Sequence, residues 1–74
     1  MDRFAIFGWM KVYFRQLAKT TGFLDKAPAE QWALLRKYIM DDSPTNDAGR
    51  AEAIDGVRDS ERPEVLTWLR QKSK

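Results

Sequence analysis

Large apolar side chains recur near the start of the chain at the spacing of a helix face. The residues separated by intervals of three, four and three positions are Phe7, Met10, Phe14 and Leu17. Such intervals place side chains on one side of an α-helix, which turns once in about 3.6 residues. The spacing predicts a first helix over residues 3–21, with Ile6 also on its inward half. Gly22 suits the left-handed position that ends such a helix.

Prolines and polar clusters divide the rest of the chain into three more predicted helices. The second begins near Pro28, because the first turn of a helix does not need the N–H that proline lacks, and it ends before Asp41. The third, over about residues 46–58, is poor in large apolar side chains. The fourth is predicted to begin at Ser60 as its capping residue, with Pro63 in its first turn.

The absence of cysteine limits how a chain of 74 residues can be stabilised. Disulfides are impossible, so apolar packing must hold the chain together. A chain this short predicts one domain, residues 1–74. We therefore expect an all-α fold: a small compact bundle of three or four helices with a long, aromatic-rich first helix. The core residues predicted in the second and fourth helices are Trp32, Leu35, Ile39, Val65, Leu66, Trp68 and Leu69.

The chain lacks two residue types that often carry catalysis. It has no histidine and no cysteine, and so neither the commonest general base nor a thiol nucleophile. The acidic run at residues 41–52 has the length of an EF-hand loop, but Asn46 stands where that loop requires glycine. We therefore predict no enzymatic activity, no metal site and no cofactor.

The N-terminal region offers no candidate for membrane insertion. Its uncharged stretch, residues 4–10, is far shorter than the roughly 20 residues that cross a bilayer. Lys11 interrupts the stretch, and no small-residue cleavage site follows, as a signal peptide would require. The sequence therefore predicts a cytoplasmic protein without a transmembrane segment.

Charge is distributed unevenly along the chain. Residues 1–40 carry seven cations against three acids, residues 41–64 carry three against eight, and residues 65–74 carry three cations and no acid. Acids at the C-terminal end of a helix oppose its dipole, so the carboxylates there need compensation. The residues predicted to face a basic partner are Asp41, Asp42 and Asp47. The simpler alternative is that these charges only solvate the surface and cap helix ends.

Aromatic residues crowd the first predicted helix, and one helix of a small bundle cannot bury both of its faces. Part of this surface is therefore exposed or covered by another chain. We expect Phe7, Met10, Phe14 and Leu17 to form the core or the seam of a homodimer. The residues of this segment predicted to contact a partner are Phe4, Trp9, Lys11, Tyr13 and Arg15.

Residues 16–23 resemble the first helix and turn of a helix-turn-helix motif, with a glycine four positions after an alanine. The resemblance implies a nucleic-acid-binding regulator. It ends there, because Pro28 stands where the recognition helix should already be running. The basic residues Arg36 and Lys37 also come late, whereas recognition helices present such side chains in their first turns.

Together these features predict a small regulator or inhibitor that occupies a surface of a larger protein. In size and lack of catalytic chemistry the chain is similar to phage- or plasmid-encoded inhibitors of host factors and to adaptor subunits. The first alternative is a nucleic-acid-binding regulator with a degenerate helix-turn-helix. The second is an amphipathic protein on a membrane surface, indicated by the row Lys11, Arg15 and Lys19 beside the aromatic side chains.

Overall fold

The computed structural model describes residues 3–42 and 48–73, and these residues form helices and turns with no strand among them. In chain order the elements are a 3-10 segment (Ala5–Met10), α1 (Lys11–Ala18), a 3-10 turn (Phe23–Asp25), α2 (Pro28–Asp42), α3 (Ala48–Asp55) and α4 (Arg62–Lys72). The prediction of a small all-α bundle is confirmed.

The first helical segment is divided, whereas the sequence predicted one continuous helix over residues 3–21. Its first half is a 3-10 helix, whose turn of about three residues points side chains in other directions than an α-helix does. Ile6 was predicted to lie inward and is 73% exposed. Gly8 is a poor α-helix former, and Phe4 at the start makes no capping side-chain hydrogen bond. The α form therefore has little local support until Lys11.

Three predicted helix boundaries also differ from the structure. Helix α2 continues through Asp42, since a proline at position 44 restricts only the residue directly before it. Helix α3 ends at Asp55, short of the predicted residue 58. Ser60 does not cap α4: Glu61 occupies that position and makes no capping side-chain hydrogen bond. The end of the first helix differs as well: α1 ends at Ala18 rather than at residue 21, so Gly22 has the predicted left-handed φ of 83° but does not cap the helix.

The core is one cluster in which α1, α2 and α4 meet. At its centre the rings of Phe14 and Phe23 make an edge-to-face contact, with ring centroids 5.6 Å apart and an angle of 78° between their planes. Trp68, which the sequence predicted in the core, is only partly buried, whereas Phe23 in the 3-10 turn was not predicted there. The buried apolar residues are Phe7, Met10, Phe14, Phe23, Trp32, Leu35, Ile39, Ile54, Val57, Val65, Leu66 and Leu69.

A bidentate salt bridge between Arg36 and Asp55 joins α2 to α3. Arg36 Nε donates to Asp55 Oδ1 at 2.8 Å, and Arg36 Nη2 donates to Asp55 Oδ2 at 3.1 Å. The hydrogen bonds from Arg36 lower the pKa of the Asp55 carboxyl, because they favour its charged form. The same hydrogen bonds raise the pKa of the Arg36 guanidinium. Both side chains are about half exposed, so the pair adds little to the packing of α3, which rests mainly on the buried Ile54.

Replacing Phe14 with alanine should remove the central contact of the core. Phe14 is 2% exposed, so the substitution leaves a cavity and should lower the free energy of unfolding by about 3–5 kcal/mol. Urea unfolding followed by circular dichroism measures this change. The control is Val12→Ala on the same helix, at a side chain that is 58% exposed, where the change should stay below about 0.5 kcal/mol. Equal unfolding midpoints for the two variants would contradict this core.

The ion pair between α2 and α3 should make stability depend on acid pH. A carboxyl whose pKa is lowered by folding stabilises the fold above its unfolded pKa of about 3.9, and this contribution disappears as pH falls through the lowered value. We therefore expect Asp55→Asn to lower the melting temperature at neutral pH and to lose this difference from the unmodified chain in strong acid. Thermal melts over a pH series measure the effect. In an Arg36→Gln background, Asp55→Asn should alter the acid dependence much less, because only the weaker attraction of Arg62 still lowers the pKa of Asp55.

Candidate protein-binding surface

Three aromatic rings from three elements meet around Tyr13. The Tyr13 ring lies edge-on to Trp9, with centroids 6.3 Å apart, and edge-on to Tyr38 of α2, with centroids 5.7 Å apart. Edge-to-face contacts at these distances are favourable for aromatic pairs. Two charged residues complete the group. We refer to Trp9, Tyr13, Tyr38, Asp42 and Arg50 as the aromatic–arginine cluster.

The Tyr13 hydroxyl connects α1 to α2 and to α3 at one point. It donates a hydrogen bond to Asp42 Oδ2 at 3.0 Å and accepts one from Arg50 Nη1 at 2.9 Å. The Arg50 guanidinium carbon lies 5.3 Å from the Trp9 ring centre and 5.8 Å from that of Tyr13. Both distances fall within the range of cation–π attraction. Rings and a hydrogen bond therefore hold the guanidinium in a defined place.

The cluster is partly exposed and surrounds a shallow depression. Trp9, Tyr13, Tyr38 and Arg50 are half-buried, and Asp42 is exposed. The depression encloses about 320 Å³, at the lower limit of the roughly 300–1,000 Å³ typical of small-molecule sites. Its size suits one or two side chains of another protein better than a whole cofactor.

Asp42 finds its compensating charge and hydrogen bond within the chain. Its carboxylate lies at the C-terminal end of α2, where the helix dipole disfavours an anion. The hydrogen bond from Tyr13, which itself accepts from Arg50, offsets this cost. Asp41 is exposed beside it. Asp47, the third acid predicted to face a basic partner, lies outside the described residues.

The other predicted contact residues lie in two different places. Phe4 packs against Trp68 of α4, with ring centroids 6.4 Å apart. Lys11 is half-buried, and its carbonyl accepts a hydrogen bond from Ser73 Oγ at 3.4 Å. Arg15 is exposed and donates from Nε to the Ser73 carbonyl at 3.3 Å. The structure therefore brings together Trp9, Tyr13 and Asp42, but not the whole predicted set.

The face predicted as either core or dimer seam packs within one chain. Phe7, Met10 and Phe14 are buried, and Leu17 is partly buried against the same core. Phe7, Met10 and Phe14 therefore have the first of their two predicted roles, that of core residues. A homodimer stays a prediction.

Sequence reasoning missed Tyr38 and Arg50 as members of the cluster. Tyr13 contacts Asp42 across 29 positions and Arg50 across 37, so no local spacing reveals the contacts. One signal was present in the charge pattern. Arg50 is the only cation between residues 41 and 57, a stretch that carries five acids, and an isolated cation there has many potential partners.

No protein-family model, curated protein or solved structure was found to match this chain. Within residues 3–42 and 48–73, no helix combines the length and apolar character needed to cross a bilayer. In the same ranges, no three acidic side chains are grouped closely enough to hold a metal ion.

Removing the Tyr13 hydroxyl should uncouple the three helices that it connects. We expect Tyr13→Phe to lower the free energy of unfolding by about 0.5–1.5 kcal/mol, the usual net contribution of a hydrogen bond. In an Arg50→Met background the same substitution should cost less, because one partner of the hydroxyl is already gone. Denaturant unfolding of the two single variants and the double variant measures this coupling. Strictly additive losses would show that Tyr13 and Arg50 do not interact.

Proposed function

We propose that this chain is a non-enzymatic protein-binding module, a small regulator or inhibitor that acts by occupying a surface of a larger protein. The observation that supports the proposal is the aromatic–arginine cluster. Tryptophan, tyrosine and arginine are the residues most enriched among those that dominate binding energy at protein interfaces. They combine a large contact area with a polar group that can find a partner. Here all three types lie side by side and half-exposed.

The order already present in the cluster favours binding. An interface normally loses about 0.5–1.5 kcal/mol for each flexible side chain that it immobilises. In the aromatic–arginine cluster, Arg50 is held by Tyr13 and by two rings before any partner arrives. Tyr13 is in turn held by Asp42 and Tyr38. Much of the entropic cost of binding is therefore met when the chain folds.

The nucleic-acid alternative gains little support from the geometry of residues 16–37. After Gly22 the chain forms a 3-10 turn that buries Phe23, and α2 starts only at Pro28. Of the two basic residues in the candidate recognition helix, Arg36 is held by Asp55. Lys37 is exposed, and one lysine gives few phosphate contacts. A protein partner fits the surface of this chain better.

Capture from a lysate of the source organism tests the proposal, with the tagged chain as bait and with nuclease added. We expect a specific protein to survive nuclease treatment and to be retained by an Ile6→Ala variant, whose altered side chain is exposed outside the cluster. Trp9→Ala should weaken binding of that purified protein by about thirtyfold, the loss expected for an interface residue worth 2 kcal/mol.

Either of two results contradicts the proposal. One is a set of partners that disappears with nuclease, which would favour the nucleic-acid alternative. The other is equal binding by Trp9→Ala and Ile6→Ala. Circular dichroism checks that Trp9→Ala is folded. Should it unfold, Arg50→Met tests the same cluster from α3.

A further inference from the structure

Ion pairs in the folded chain neutralise many of its acidic side chains, so the charges that remain unpaired differ from the pattern of charges along the sequence. Much of the acidic middle is held in ion pairs. The pairs are Arg36–Asp55 at 2.8 Å, Arg62–Asp59 at 2.7 Å, Arg3–Glu61 at 3.3 Å and Arg3–Glu64 at 3.9 Å. By contrast, Arg15 and Arg70 make no ion pair with any residue in the two described ranges. Near Arg15 and Arg70, the described surface therefore carries positive charge that no ion pair neutralises.

The fold brings these two arginines to the same place from opposite ends of the sequence. Arg15 Nε donates to the Ser73 carbonyl at 3.3 Å, and Ser73 Oγ donates to the Lys11 carbonyl at 3.4 Å. These contacts hold the end of α4 beside α1. Arg15 and Arg70 consequently border one depression, although they are 55 positions apart in the sequence.

The depression between the two arginines is mostly apolar. It encloses about 290 Å³ and is lined by Phe14, Arg15, Ala18, Leu24, Arg70 and Ser73. Leu24 is 41% exposed and presents an apolar surface at the depression. A second depression of about 240 Å³ shares Leu24 and Arg70 with the first and reaches Pro28 and Lys26, whose Nζ lies 3.9 Å from a carboxylate oxygen of Glu30. We refer to the two together as the basic groove.

We propose that the basic groove binds an acidic amphipathic helix of a partner protein. An apolar side chain of that helix packs on Leu24 and Ala18. Carboxylates on either side of it pair with Arg15 and Arg70, whose planar guanidinium groups match a carboxylate with two parallel hydrogen bonds. Helices that lay an apolar face into such a groove are a common mode of peptide recognition.

The composition of the groove favours an acidic protein over other anions. Nucleic-acid strands bind on exposed aromatic rings that stack with bases, and the only ring in the groove, Phe14, is buried. A second copy of this chain is a poorer occupant, because five of its nine described acids are held in ion pairs and Asp42 accepts a hydrogen bond from Tyr13. An acidic helix satisfies both the arginines and the apolar floor.

This surface is separate from the one on which the proposed function rests. Tyr13 and Arg15 project about 200° apart around α1, since each residue turns the helix by about 100°. No residue of the aromatic–arginine cluster lines the basic groove. Either surface can therefore lose its partner while the other keeps its own.

Fluorescence anisotropy tests the proposal with a labelled helical peptide of about 15 residues. Its leucines recur at alternating three- and four-residue intervals, and glutamates flank them. The comparison peptide has the same composition, scrambled so that no apolar face forms. At about 0.15 M salt, we expect the full chain to bind the amphipathic peptide at least about tenfold more tightly than the scrambled one.

Leu24→Ser and Arg70→Glu should each weaken binding of the amphipathic peptide at least about tenfold. Ile6→Ala, at a side chain that is 73% exposed outside both surfaces, should leave it unchanged. Both altered side chains in the groove are exposed, so circular dichroism should show folded variants, and Arg15→Glu gives an independent third test. Three results overturn the proposal: equal binding of the two peptides, no effect of Leu24→Ser, or tighter binding of single-stranded DNA or phosphatidylserine vesicles than of the amphipathic peptide.

Discussion

The burial of Phe14 against Phe23 determines how α1 sits in the bundle. With eight residues, α1 is too short to be stable as an isolated helix in water, so tertiary packing must supply its stability. The same inward face carries Met10 and Phe14, and both are buried. Because these side chains must point into the core, the rotation of α1 about its axis is fixed. Tyr13 then lies on one flank of the helix and Arg15 on the other.

Local patterns in the sequence were enough to predict the helices and most of the core. The spacing of Phe7, Met10 and Phe14 identified side chains that are buried, and Gly22 marked the turn that follows. The 3-10 winding of Ala5–Met10 was not predictable in this way, since apolar residues three apart suit both kinds of helix. Phe23 was not predicted in the core because it lies in a turn, where a single apolar residue forms no periodic pattern.

The sequence predicted only some of the residues of the candidate site. Crowded aromatics pointed to Trp9 and Tyr13, and an unfavourable helix end pointed to Asp42. Arg50 completes the cluster that these residues form. Its position relative to Tyr13 follows from the packing of α3 and not from any spacing in the sequence. The pattern of charges along the sequence was also an incomplete guide to the folded surface. The sequence suggested an acidic surface for a basic partner, yet Asp42 accepts a hydrogen bond from Tyr13, and pairs such as Arg36–Asp55 neutralise part of the other acid in residues 41–64.

Sharing α1 would link the two proposed surfaces thermodynamically. A partner bound as proposed on either flank would stabilise the docked form of α1 by mass action. A second partner would then meet a chain in which α1 is already docked and would lose less entropy on binding. Under both proposals, two partners that never touch would favour each other's binding through one short helix. The strength of this coupling is limited by the free energy of docking α1, which depends above all on Phe14.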